Sequence, residues 1–141
     1  EAMKHFYCGT LGMVPFLQSA FRDHLWHRLW KLPPESPARL DIYKGNAPGT
    51  GLGGIELQGY ESELVDTEPA LADQFDGGAC LLTYTSDDLD AAFAAVAADP
   101  AARRLSRPRV VDAAPYRGAR AFAFQGPDGE RIEVIERAWE A

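Results

Sequence analysis

Two segments of this chain set a glutamate inside the same apolar frame: Gly53-Gly54-Ile55-Glu56-Leu57 near the middle, and Gly129-Glu130-Arg131-Ile132-Glu133-Val134-Ile135 near the end. Successive side chains of a strand point to opposite faces. Ile55 and Leu57 therefore turn to one side and Glu56 to the other, and Ile132 and Val134 oppose Glu133 in the same way. Where the apolar pair packs on a helix, the carboxylate faces away from that core. A chain that repeats this pattern folds as two similar units, an arrangement that can bring both carboxylates to one cavity.

The 141 residues suit one domain or two small fused modules. A module of ~60–70 residues is marginal alone, so the halves are expected to pack on each other or on a second chain. The net charge of −7 argues against a nucleic-acid partner, because phosphate binding needs clustered cations. The densest basic stretch, residues 103–109, is interrupted by Leu105, Ser106 and Pro108 and reads as a solvated strand entrance. No apolar run approaches the ~20 residues of a membrane span, and no signal peptide is visible. Cys8 and Cys80 are too few for a disulfide scaffold, so reduced thiols and a cytoplasmic location are expected.

Met3, Phe6, Tyr7 and Leu11 fall at helical spacing, with Gly12 as a stop. Strands are expected over 14–21, 38–44 and 52–60, with a short helix or lid-like excursion over 22–31 that Pro33, Pro34 and Pro37 end. The acidic, weakly patterned stretch 61–78 reads as a linker between modules 1–60 and 79–141. In the second module, a strand over 79–85 leads through Ser86, Asp87 and Asp88 into a helix with Leu89, Phe93 and Val96 buried. Strands over 107–113, 118–125 and 131–137 follow, the last two joined by the turn Gly126-Pro127-Asp128-Gly129. The second half is β-α-β-β-β, and the first is the same unit without its opening strand. Gly49-Thr50-Gly51-Leu52-Gly53-Gly54 precedes a strand and lacks a following Lys-Ser/Thr, so it reads as a hairpin turn and not as a phosphate loop.

A doubled unit of this kind ending in Gly-Pro-Asp-Gly-x-x-Ile-Glu-Val resembles the vicinal oxygen chelate superfamily, which includes glyoxalase I, bleomycin-resistance proteins, fosfomycin-modifying enzymes, methylmalonyl-CoA epimerase and extradiol dioxygenases. Phe6-Tyr7 with Leu11-Gly12-Met13, Leu29-Trp30-Lys31-Leu32-Pro33 and Asp88-Leu89-Asp90-Ala91-Ala92 look like further segments of it. The resemblance implies an α+β fold of two βαβββ modules curled around a shared cavity. It implies a small-molecule lyase, isomerase or epimerase acting near a carbonyl or vicinal oxygens, or else a bleomycin-resistance-type protein that sequesters its ligand. It also implies a homodimer.

Metal-dependent members place ligands on the first and last strands of both modules. Glu56 and Glu133 match the last-strand positions, so they are the candidate ligands for a divalent ion (Zn, Ni, Mn or Fe). At the second module's first-strand position stands Leu81, or Cys80 with a one-residue slip. Without a metal, the same carboxylates are candidate acid–base groups, since burial raises a carboxyl pKa into the useful range. Arg131, two residues from Glu133, is a candidate partner for it. Tyr60 shares the face of Glu56 by parity and is a candidate to orient a substrate oxygen. Trp30, Tyr43, Tyr84 and Phe122 are candidate substrate-binding aromatics. His24 and His27 lie three apart and read as solvated groups on a surface excursion, because helical metal pairs favour a spacing of four.

Overall fold

The larger sheet follows from alternation along its last two strands. In β7 (Arg120–Gln125) and β8 (Arg131–Glu136), Phe122, Phe124, Ile132 and Val134 are at most 3% exposed. The side chains between them turn to the other face. The computed structural model describes residues 1–22, 25–29, 35–45, 54–60 and 81–137. By contact the chain divides into two units, Gly12–Glu68 and a second made of Glu1–Leu11 with Pro69–Ala141. The linker expected over 61–78 lies outside the described residues.

The second unit opens with α1 (Ala2–Lys4), which runs directly into a π-helical segment, His5–Thr10. Its other elements are β4 (Leu82–Ser86), α3 (Leu89–Ala98), the short strands β5 (Arg103–Arg104) and β6 (Arg109–Val110), then β7 and β8. The sheet order is β4-β8-β7-β5, with β6 also pairing β7; β4 and β8 are parallel and the other pairs antiparallel. Asp88 caps α3 by accepting from Ala91 N at 2.9 Å. Leu89 and Val96 are buried, and Phe93 meets Phe122 edge-on with centroids 5.2 Å apart. Phe6 packs on Phe124 at 5.8 Å. At the rim Arg120 ties α3 to the sheet, 2.6 Å from Asp90 and 3.3 Å from Glu136. The Thr10 hydroxyl donates to Asp99, joining the helical ends.

The turn between β7 and β8 has the expected chemistry. Gly129 takes a φ of +82°, a left-handed conformation that side chains other than glycine's adopt at a cost, and its N–H donates to Gly126 O at 3.0 Å. Glu130 folds back over the turn, accepting from Tyr7 Oη and from Asp128 N, each at 2.9 Å. A Cβ on Gly126 would overlap that carboxylate. The turn, the first helix and the sheet are thus tied through one side chain.

The other unit is an antiparallel sheet, β1 (Val14–Phe21), β2 (Ala38–Lys44) and β3 (Gly54–Tyr60), in that order. Between β1 and β2 lies α2 (Leu25–Leu29). His27 there is 2% exposed, and its Nε2 lies 2.7 Å from Ser36 O. A carbonyl only accepts, so Nε2 carries the proton. The expectation of a solvated histidine is corrected: the ring is a buried tie between α2 and the approach to β2, also meeting Phe21 edge-on.

Most expected strands are present. The strand expected over 107–113 shortens to Arg109–Val110, because the chain then enters the hydrogen-bonded loop that leads to β7. Arg103–Arg104 pairs with Gln125 and Phe124, a strand where only an entrance was expected. Among the described residues no helix is long and apolar enough to cross a membrane.

Tyr7→Phe is expected to cost about 1.5–3 kcal/mol, the range for a hydrogen bond to a charged group. Gly126→Ala displaces the same carboxylate, so the double variant should lose less than the sum of the two in urea unfolding. Burial, then the charge of Glu130, push the Tyr84 hydroxyl up to about 12 and raise Tyr7 in the same sense. Unfolded tyrosine titrates near ~10. The folded state therefore holds these protons more tightly, and the stability they confer is complete below ~10 and lost as the pH climbs toward 12. The unfolding temperature should fall over that window, and fall less in Tyr84→Phe.

Candidate functional site

Glu133 stands on the face of the larger sheet turned away from the helices. Its neighbours across the sheet are Thr83 on β4 and Ala123 on β7. Glu133 is half-buried, and its carboxylate is held by one hydroxyl with a second at the limit of reach. Tyr116 Oη lies 3.0 Å from both carboxylate oxygens, and Thr83 Oγ1 donates at 3.5 Å. Arg131, the partner expected from sequence, makes no ion pair with it; the salt bridges among the described residues lie elsewhere.

Tyr116 comes from the loop joining β6 to β7. Its own N–H donates to Ala113 O, and its carbonyl accepts from Ala119 N, both at 2.9 Å. Gly118 N donates to Val111 O and Val111 N to Ala119 O, both at 3.0 Å. The left-handed residues Arg117 and Gly118, at φ +50° and +84°, turn the chain back into the sheet. Beside the loop lies a hollow of about 410 Å³, lined by Pro115, Tyr116, Arg117, Gly118, Glu136 and Arg137, among others. The hydrogen bond to Glu133, then burial and the carboxylate's charge, hold the Tyr116 proton above its ordinary range. At neutral pH Tyr116 is a donor, and Glu133 is the group with a free lone pair. Tyr116 was missed on sequence. Its signal was an aromatic residue inside the polar turn Pro115-Tyr116-Arg117-Gly118, where no local core can take it.

The other expected site residues are placed differently. Glu56 is exposed on β3, opposite Ile42, and accepts from Gln58 Nε2. It belongs to the other unit. Tyr60 pairs with Ala38 at the end of β3, and its side chain lies outside the described set, as do Trp30 and His24. Tyr43 is fully buried on β2. Phe122 is 1% exposed between Phe93 and Phe124, in the core on the face opposite Glu133. Tyr84 pairs with Val134 and shares that helix-side face.

The fold is similar to that of a glyoxalase family protein from Bacillus cereus, at 16% identity and a TM-score of 0.69, covering 91% of this chain and 80% of that one. The chain has the vicinal oxygen chelate fold. The same fold is shared with a glyoxalase I variant from Zea mays (17% identity, TM-score 0.63, 96% of this chain) and a glyoxalase family protein from Enterococcus faecalis (21%, 0.55, 96% of this chain and 86% of that one). The chain spans 41% of the maize protein. Neither a protein-family model nor a curated protein sequence matches it. At these identities the likeness establishes the vicinal oxygen chelate fold and leaves the chemistry to the residues.

Metal-dependent chemistry on this fold calls for three or four ligands around one ion. No cluster of three His, Cys, Asp or Glu occurs among the described residues. Around Glu133 the same face presents Thr83, Ala123, Arg131 and Ile135, and Leu81 lies just before β4. Arginine and leucine do not ligate a cation, so the described residues of this face do not by themselves fit a divalent ion; Cys80 lies outside them.

Removing the carboxylate in Glu133→Ala should release Tyr116, lowering its pKa toward the ordinary phenol value. Ultraviolet titration of the variant against the native chain checks this; an unmoved Tyr116 would show that the bond does not persist in solution.

Proposed function

We propose that this chain is a small-molecule enzyme of the glyoxalase-like kind, a lyase, isomerase or epimerase that moves a proton at a carbon beside a carbonyl. The observation that carries the reading is the Glu133 carboxylate, set on a strand face away from the core and held head-on by Tyr116. A general base must be oriented as well as basic. A strand fixes its backbone, and the Tyr116 hydroxyl fixes its head. In the proposed step Glu133 takes the proton, the C–H pair becomes the enolate C=C, and the charge moves to the carbonyl oxygen. Return of the proton to either face epimerises or isomerises the substrate. Tyr116 is a positioning residue, since its raised pKa keeps it protonated throughout. Glu56, the matching carboxylate of the first repeat, has no part in this step.

A metal on Glu56 and Glu133 belongs to the reading only if further ligands come from outside the described residues. We also propose a homodimer, supported by β1: it is the outer strand of its sheet and leaves Val14, Phe16 and Leu17 42–62% exposed. Sedimentation tests that part.

The test of function is solvent-deuterium incorporation into a panel of small 2-oxo acids and 2-hydroxy ketones, followed by proton NMR. Glu133→Gln should slow exchange by ~10²–10⁴-fold, the usual contribution of a positioned base. Tyr116→Phe should fall between that variant and the native chain. Exchange at the native rate in Glu133→Gln would exclude the base; ligand binding without exchange by the native chain would favour sequestration.

A further inference from the structure

The face that carries Glu133 also carries arginines, although the chain is acidic overall. The register places Arg131 of β8 opposite Gln125 of β7, and Gln125 opposite Arg103 of β5. Arg109 of β6 lies opposite Ala121, whose parity puts it on the same face as Ala123 and Gln125. The strand positions of this face thus hold three arginines against one glutamate, on a chain of net charge −7.

None of the three guanidiniums forms an ion pair among the described residues; the arginines that do are Arg39, Arg120 and Arg137. Adjacent strands lie about 4.8 Å apart, so the Arg103 and Arg131 backbones stand about 10 Å apart across β7. That span lets both side chains reach one group above Gln125. Gln125 itself is 8% exposed, yet its side chain makes one hydrogen bond, from Nε2 to Gly129 O at 3.5 Å, the outer limit of such a bond. A buried amide with little internal partnership thus lies between two cations that lack counter-charges. Ala121 and Ala123 keep the floor of this face low. Glu133 is two residues along β8 from Arg131, about 7 Å at strand rise.

We propose that the helix-free face of the larger sheet binds the oxyanion of its substrate, a carboxylate or phosphate, between Arg103 and Arg131 above Gln125. Guanidinium forks match either group with paired charge-assisted hydrogen bonds. The proposal rests on the reading of Glu133 as base only for its substrate class: a small oxygenated acid or phosphate ester whose reacting carbon lies one or two bonds from the anion. A fixed anion at that distance would set the carbon over the Glu133 carboxylate. The local positive charge also draws anions to a protein whose net charge repels them.

Calorimetric titration of the full chain with malonate, inorganic phosphate and the neutral dimethyl malonate tests this. Native protein should bind one of the two anions and not the ester, more weakly as salt rises; preference between them identifies the source of the oxyanion. Arg103→Gln and Arg131→Gln should each weaken that binding about tenfold or more. Arg104→Gln, adjacent in sequence but paired with Phe124 on the other face, should leave it unchanged. Circular dichroism of each variant confirms folding, and Arg131→Lys, which keeps the charge and loses the fork, should recover part of the affinity. No anion binding by the native chain, native affinity in both arginine variants, or an equal loss in Arg104→Gln would overturn the proposal. Glu133→Gln should bind the anion at least as well as the native chain. Anion binding that depends on the arginines, with proton exchange independent of Glu133, would therefore refute the catalytic reading and leave this site standing.

Discussion

The helix side of the larger sheet is the constraint on which the rest depends. Phe122 and Phe124 on β7 and Ile132 and Val134 on β8 are driven against Phe6 and the buried side of α3. Fully burying each such side chain is worth about 1.5–3 kcal/mol. The side-chain period of a strand is two, so this burial also fixes what points the other way. A slip of one residue in β8 would bring Arg131 and Glu133 into the core and put Ile132 and Val134 outside, exchanging favourable burial for two uncompensated charges. The positions of Glu133, Arg131 and Gln125 are consequences of packing on the opposite face.

That arrangement separates the two jobs of the sheet. One face is apolar and closed by helices, with Tyr7, Tyr84 and Glu130 at its edge. The other carries small, polar and charged side chains beside Ile135, with Tyr116 brought to it by a loop. The Tyr116 hydroxyl on Glu133 restricts its carboxylate without neutralising it. Arg103 and Arg131, which form no ion pair among the described residues, supply opposite charge nearby and favour an anionic partner. Glu133, Thr83, Arg103 and Arg131 stand at strand positions, where a rigid backbone holds them better than a free loop would, and Tyr116 reaches Glu133 from a loop.

Much of the architecture was legible in residue order. The alternation of Ile132-Glu133-Val134, the Asp88 cap and the Gly126-Pro127-Asp128-Gly129 turn are each local, and each is present as read. The aromatics were harder. Phe122 and Tyr84 read as binding candidates because aromatic chemistry alone does not say which face of a strand they occupy; their register with Val134 puts both on the helix side. His27 read as solvated because its acceptor, the Ser36 carbonyl, lies nine residues on, past two prolines. Arg131 read as the partner of Glu133 from spacing alone, while the partner found, Tyr116, is 17 residues away and arrives through a loop.

Local sequence by itself determined the strand alternation, the cap and turn chemistry, the acidic net charge and the outward direction of Glu133. These depend on backbone geometry and on apolar side chains within a few residues of one another. Only the tertiary structure decided that Tyr116 holds Glu133, that Glu130 ties the last turn to the first helix, and that Arg103 and Arg131 flank Gln125. The first two contacts join residues 17 and 123 positions apart. Their partners are chosen by which strands pair and in what register, a choice made by the burial of the whole sheet and carried by no single segment.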